Sequence, residues 1–484
     1  MTLRARAISA GRWTSFSAVA RSGLQVLQVA VVARFIAPAD FGLMALTMAV
    51  VTVASLVAEF GIGRAIIHYD DADIRTRSTL YWITLALSAV LSLAIVLAAP
   101  LIASLYGKPE LGALLAWTAP VLLLTSLGQQ FVVVAEKELR FAIPAQNEVV
   151  AGIVGFIVCV VGAVAYRAGA FALVAAALAS AATSSALAWL RLSHGHRPHF
   201  HFDLGPARPF LRMGRFLVGE NLVSALVRQA DVFVGGFVLS TAALGLFSLP
   251  RDLSLRMAMV INQVAMRVGF PVMSRVRHDV AVLRDVYLQM LRMTASVNFP
   301  VYVMVGVFAD EIVMLLYGAQ FRGASDLLRG LSAWGLVRSI ANPTGSLLYA
   351  VGRVRLAFWW NVAQLVLLPA AYWFGGRLYG ADGLVAALIV TQLLLMLPSW
   401  RYLVWPCCGA TLPEFMRQLA APFVAAVVCG AAAHLATFAL PHGLLRLAVG
   451  GVMGGTVYLA LSALLNRRWM SVMRDLALQW RTPH

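Results

Sequence analysis

Long apolar blocks separated by short polar breaks set the pattern of this chain. About fourteen of them reach the roughly 20 residues that a helix needs to cross a bilayer. The pattern predicts spans over Trp13–Ile36, Phe41–Ile67, Thr79–Leu105, Leu111–Ala135, Asn147–Tyr166 and Ala170–Leu192. After a polar loop it predicts Arg212–Leu239, Leu244–Arg267, Val286–Ala309, Leu327–Val351, Leu356–Tyr379 and Gly383–Trp405. Two more follow, Gln418–Leu440 and Gly443–Leu465. Pro100, Pro120, Pro300, Pro343 and Pro369 fall inside spans. They do not demote them, because neighbouring helices can satisfy the freed backbone groups.

The two halves repeat. Gly11-Arg12 recurs as Gly214-Arg215, and Gly42-Leu43 as Gly245-Leu246, both at one separation; Tyr106-Gly107 recurs as Tyr317-Gly318 with a small drift. Six spans per half start on the same side, so the repeat is parallel. The expected fold is an all-α integral membrane protein with about fourteen transmembrane helices. Its expected layout is two parallel six-helix bundles around a central cavity, plus two C-terminal helices. The boundaries are 1–193 and 212–405 for the bundles, 194–211 for a cytoplasmic His/Arg-rich linker, 406–465 for the extra helices and 466–484 for a basic tail.

Composition agrees: 61% of the 484 residues are hydrophobic and 12% are charged. The net charge is +17, with a pI near 10.5. In a soluble protein that excess would point to nucleic acid. Here the basic residues gather in alternate loops, and the positive-inside rule puts both termini in the cytoplasm. No nucleic-acid partner is expected. The first span reads as a retained helix, since Arg21 and Gln25 interrupt it and no clean cleavage site follows. The C-terminal tail, Arg467 to Arg481, is basic and aromatic and reads as a segment lying on anionic lipid.

Charge inside the spans is the feature that composition does not explain. An arginine at a helix centre costs roughly +2.5 to +3.5 kcal/mol on the insertion scale. Arg21, Gln25 and Gln28 share one face of the first span, and Glu220, Ser224, Arg228 and Asp231 share one face of the seventh. Arg251, Asp252, Arg256, Gln263 and Arg267 mark the eighth, Arg292 the ninth and Arg338 the tenth. Glu59 is the acid well inside the second. Pairs such as Arg228–Asp231 and Asp252–Arg256 have a structural reading, as local ion pairs. Arg34 and Asp40 read as an interfacial pair, and Arg64 and Arg267 as snorkelling residues. The remainder suits a cationic, hydrated cavity for an anionic ligand, since guanidinium groups match phosphate oxygens. The expected substrate-binding set is Arg21, Arg228, Arg251, Arg256, Arg292, Arg338, Gln25, Gln28 and Gln263. Glu59, Glu220, Asp231 and Asp252 are expected to balance charge or couple an ion.

Other chemistry has little support. Cys159, Cys407, Cys408 and Cys429 form no metal or disulfide pattern. The His-rich run His194–His201 reads as a solvated linker rather than a metal site, and Asp310-Glu311 as an unsupported paired-acid site. No phosphate-cradling P-loop appears, and no cofactor or catalytic residue is implied.

Certain segments resemble the polysaccharide (oligosaccharide) flippase family. They are Val32–Leu43, Glu59–Gly63, Ala99-Pro100 with Tyr106-Gly107, Lys137–Phe141, Leu244–Ser248, Phe270–Arg275, Phe299-Pro300 and Tyr317-Gly318. The likeness is nearest to exopolysaccharide and colanic-acid-type exporters of the multidrug/oligosaccharidyl-lipid/polysaccharide superfamily. It implies a non-enzymatic carrier of undecaprenyl-diphosphate-linked repeat units across the bacterial inner membrane. Membrane lipids and polysaccharide polymerase or export machinery are the implied partners. The alternatives are a cation-coupled multidrug or small-molecule antiporter, which calls for an acid-dominated cavity, and a membrane glycan polymerase or ligase, which calls for a large external loop.

Overall fold

The computed structural model describes residues 17, 20–68, 73–200, 202–466 and 469–470, without the side chains of 64, 215–217, 258–268 and 270. Arg64, Gln263 and Arg267 are therefore outside the described side chains, and most of the basic tail is outside the described residues. The described residues form helices and no strands. In order these are α1 (20–32), α2 (Pro38–Glu59), α3 (Ile62–His68), α4 (Ile74–Tyr106), α5 (Pro109–Thr118), α6 (Pro120–Lys137), α7 (Ala142–Val164) and α8 (Ala170–Leu192). Then come α9 (Leu204–Val238), α10 (Thr241–Arg275), α11 (Val280–Val307), α12 (Ala309–Leu316), α13 (Ala324–Ser339) and α14 (Asn342–Val351). The last are α15 (Val354–Ser399), α16 (Trp405–Cys408), α17 (Leu412–Thr437) and α18 (Leu444–Leu465).

Among the described residues, nine helical stretches are long and apolar enough to cross a membrane. One of them, Val354–Cys408, breaks at Tyr379 and Gly380, so it holds two of the expected spans. Among the described residues, the expected spans at α9, α10 and α13–α14 do not meet this standard, and they carry most of the embedded arginines; the first expected span is described mainly from residue 20 on. The chain is a multi-pass membrane protein.

Helix starts follow local chemistry. Proline stands in the first turn of α2, α5, α6, α14 and α17, where a missing N–H does no harm. Asp73 accepts from Thr76 N at 2.8 Å at the start of α4, and Asp203 accepts from Gly205 N at 2.9 Å at the start of α9. Thr76 holds the Asp73 carboxyl below its usual range. Asp40 accepts from the backbone of Ala170, placing a carboxylate at the start of α8.

The chain divides into two compact units, Met1–Ser248 and Leu249–His484, with the division inside α10. The linker is shorter than expected: α9 begins at Leu204, so 204–211 are helical. Solvent reaches most of it, and a few contacts fix its course. His199 N donates to Ser78 Oγ at 3.0 Å, and Trp82 Nε1 donates to His199 O at 3.0 Å. Phe200 stacks on Trp82 at 4.7 Å. His196 stands between Arg77 (3.1 Å) and Glu138 (3.3 Å). His196 and His199 are thus tied to neighbouring groups, while His194, Arg197, His199 and Phe200 stay exposed, as the reading of a solvated linker expects.

The repeated Gly-Leu pair has a packing cause within the first unit. A Cβ on Gly42 would lie 2.0 Å from Thr241 O, and one on Gly245 would lie 1.7 Å from Pro38 O. The starts of α2 and α10 cross backbone on backbone, and only glycine fits there.

In the second unit α11 is the centre. Tyr287, Leu291, Phe299 and Phe308 are all but fully buried along it or at its end. The hairpin α17–α18 packs on it, with Gly430 against Val303 and Gly450 against Phe308. The four cysteines are free and buried, as small apolar residues.

Candidate functional site

In the first unit the polar stripe of α1 lies along α7. Arg21 Nη1 is 3.0 Å from Glu148 Oε2 of α7, and both side chains are about half exposed. Gln28, two turns on, reaches the buried Cys159 thiol of the same helix. Leu24, between them, abuts Gly152. The deep arginine that the sequence leaves short of acids thus has a counter-charge. Glu136 of α6 sits within electrostatic reach of both Glu148 and Glu59. Glu59 also lines a small pocket with Tyr81, Thr84, Ser126, Gln129 and Gln130, about 20 Å³ in volume and so enough for one water. Three carboxylates and Arg21 form a polar seam across α1, α2, α6 and α7.

On α9, Glu220 is half-buried, Arg228 donates to Ser224 Oγ, and Asp231 is buried with its carboxylate accepting from Val232 N at 2.9 Å. Gln25 is exposed. Lys108, between α4 and α5, is 8% exposed. Its ammonium donates to Gly236 O and, at 3.2 Å, to Leu239 O, capping the C-terminal end of α9. Burial lowers the lysine's pKa.

The second unit gathers a different set. Arg251 is 4% exposed and pairs with Asp252 Oδ1 at 3.2 Å, so Asp252 has its sequence neighbour as a partner in addition to the expected candidate, Arg256. Asp252 and Arg256 both act electrostatically on Tyr317, whose hydroxyl donates to Leu249 O at 3.2 Å. Tyr302, also from outside α10, donates to Ser254 O at 2.8 Å. Arg338 packs over Trp334 with its guanidinium carbon 5.0 Å from the ring centroid, a cation–π contact. Arg292 is half-buried on α11.

Some polar groups escape a reading of the sequence. Glu148 and Glu136 stand at the ends of otherwise apolar spans, where an acid reads as interfacial. A second cluster joins α12 to the α17–α18 loop. Glu311, buried, lies 3.0 Å from Arg446 Nη1 and 2.7 Å from His442 Nδ1. Beside it Arg329 pairs with Asp310 and Asp326.

The arrangement suits recognition of a polar, anionic solute by groups in membrane helices. Comparison with known proteins places the chain in a family. A family described as polysaccharide biosynthesis protein matches residues 31–326. The lipopolysaccharide biosynthesis protein WzxC of Escherichia coli (strain K12) is 28% identical over 87% of this chain and 86% of its own length. The teichuronic acid biosynthesis protein TuaB of Bacillus subtilis (strain 168) is 28% identical over 94% of each chain. In fold, the chain is similar to the lipid II flippase MurJ in an inward closed conformation. The TM-score is 0.73 at 15% identity, covering 96% of this chain and 100% of that one.

Proposed function

From the premise that this chain belongs to the polysaccharide biosynthesis protein family, we propose that it is a flippase. Its cargo is an undecaprenyl-diphosphate-linked oligosaccharide repeat unit. It carries that unit across the bacterial inner membrane by alternating access, with both termini in the cytoplasm. Polymerase or export machinery then uses the delivered unit.

The observation that carries the reading is the set of guanidinium groups kept on spans of the second unit. Arg256, Arg292 and Arg338 are half-buried on α10, α11 and α13. A guanidinium in such a setting costs several kcal/mol unless it meets water, a carboxylate, a ring or an anion. A diphosphate supplies the anion, and Arg presents the fork that binds it in two places. Arg21, Arg228, Arg251, Gln25, Gln28 and Gln263 complete the binding set in this reading. Glu59, Glu220, Asp231 and Asp252 balance charge or take up a coupling ion.

The test is polysaccharide export from a null strain carrying Arg256→Ala or Arg338→Ala at matched protein level. Losing one charge-assisted contact to the diphosphate lowers export about tenfold or more. Unchanged export from both variants counts against a cationic site, and a wild-type gene that restores no export defeats the flippase itself.

A further inference from the structure

A pocket of about 520 Å³ opens in the second unit where α12 and the start of α13 meet the loop between α17 and α18. That volume lies within the range of small-molecule sites. In the proposed orientation it is on the outer face, away from the basic loops. Its polar lining includes Glu311, Ser325, Arg322 and His442, and its apolar wall includes Leu315 and Leu444.

Two of its polar groups still have bonding capacity. Ser325 is 3% exposed, and its buried hydroxyl has no hydrogen-bond partner. A buried hydroxyl without a partner is uncommon and calls for an explanation. Glu311 is the second. Arg446 Nη1 (3.0 Å) and His442 Nδ1 (2.7 Å) both converge on its Oε1, and Oε2 takes neither bond. His442 Nδ1 is also 2.8 Å from Arg446 Nη1. A guanidinium only donates and a carboxylate only accepts, so Nδ1 cannot serve both. With the proton on Nδ1, His442 donates to Glu311 Oε1, and Arg446 serves the same oxygen as an ion-pair partner at 3.0 Å. The carboxylate is thereby held by one hydrogen bond and one ion pair, with Oε2 left to accept.

The charge balance argues against a bare cation as ligand. Each carboxylate of the pocket already has its arginine: Asp310 pairs with Arg329, and Glu311 with Arg446. What is left is a fixed acceptor, an unsatisfied hydroxyl, the exposed Arg322 and an apolar wall. Sugars match that combination, since hydroxyls engage carboxylate and serine while the C–H face of the ring lies on leucine.

We infer that this pocket is a saccharide-binding site on the outer face, holding one or two sugar rings of the carried glycan. The substrate class rests on the flippase reading; the binding itself does not. The test is saturation-transfer NMR on the full chain in lipid nanodiscs, with glucose, galactose, N-acetylglucosamine and glucuronic acid as probes. At least one sugar receives saturation at its ring protons from the wild-type protein. Ser325→Ala weakens its apparent affinity about fivefold, the loss of one hydrogen bond. Leu444→Trp, which fills the pocket, abolishes the signal; should that variant not fold, the serine variant decides alone. Equal affinity in wild type and Ser325→Ala, or no transfer to any of the four sugars, overturns the site. Export from the null strain is scored separately, so binding without restored export upholds the pocket while defeating the flippase.

Discussion

The third span of each half, α4 in the first and α11 in the second, occupy equivalent places in the repeat and have opposite surroundings. Of the most apolar 18 residues of α4, 17% are buried; for α11 the share is 44%. Leu93, Leu97, Leu101 and Leu105 of α4 are all exposed. The protein-facing side of α4 buries Thr76, Ser78, Thr79, Ser88 and Ser92, and on α11 the buried set includes Ser296, which its cover bonds. The cause is the hairpin α17–α18, which has no counterpart in the first half and packs on α11. A helix facing lipid must be apolar because the bilayer offers its side chains no partners. A helix covered by protein can keep polar groups that its cover satisfies. Tyr458 donates to Ser296 O at 2.6 Å, and Asn466 Nδ2 donates to Ser296 Oγ at 2.7 Å, both from the covering segment.

The largest expected effect comes from prising the cover away. A Cβ on Gly450 would lie 2.0 Å from the ring of Phe308, itself enclosed at 1% exposure. Gly450→Ala is expected to destabilise the protein by about 1–3 kcal/mol through overpacking. Near α4 the matching change is mild. A Cβ on Gly112 of α5 meets nothing nearer than Ala103 Cβ at 3.3 Å. Thermal melts of both variants in detergent check the contrast, and equal loss in the two would remove the special role of the hairpin.

Next comes a pair of polar changes with opposite outcomes. Asn466→Ala removes the bond to Ser296 and is expected to cost about 1 kcal/mol. Ser88 of α4 is fully buried, and its hydroxyl has no partner. Ser88→Ala deletes an unsatisfied group, so it is expected to be neutral or stabilising. Should Ser88→Ala cost as much as Asn466→Ala, the claim that the bond a cover supplies, and not burial alone, sets the cost fails.

How much of this was legible in the sequence follows from distance along the chain. Spans are local patterns, and the expected fourteen each fall on a helix or helix pair among the described residues. Even the close pair Leu356–Tyr379 and Gly383–Trp405 is separated where Tyr379 and Gly380 leave helical geometry. The Gly42/Gly245 repeat was visible as letters, while its cause, two backbones in contact, is a tertiary fact. The candidate site was less legible for the same reason. Arg21 and Glu148 lie on α1 and α7, and Glu311 and His442 are 131 residues apart. No periodicity connects such partners. The face of α1 bearing Arg21 and Gln28 was readable from their spacing; what that face meets, α7, was not.

The smallest effect concerns how the two helices' neighbourhoods are anchored at their starts. Asp73 caps α4 itself, and Glu414 caps α17, the first helix of the cover over α11. Glu414 Oε2 accepts from Thr411 N at 2.8 Å and from Thr411 Oγ at 2.9 Å. Thr411 holds the Glu414 carboxyl below its usual range, as Thr76 does for Asp73. A carboxyl whose folded pKa is depressed stabilises the fold fully above its unfolded pKa, near 4.5 for Glu414 and 3.8 for Asp73. That stability is lost as pH falls through the lower, folded value. Glu414→Gln and Asp73→Asn keep the shape without the charge. Each is expected to cost about 0.5 kcal/mol or less at pH 7 and to flatten part of the acid-side fall in melting temperature. Glu414 holds the cover and also lies 3.9 Å from Arg284 Nη1 of α11, so its variant should loosen α17–α18 and the start of α11 first, read as faster amide exchange there with α4 unchanged. The Asp73 variant should do the reverse, and acid-side melting curves unchanged in both would mean that neither cap contributes through its charge.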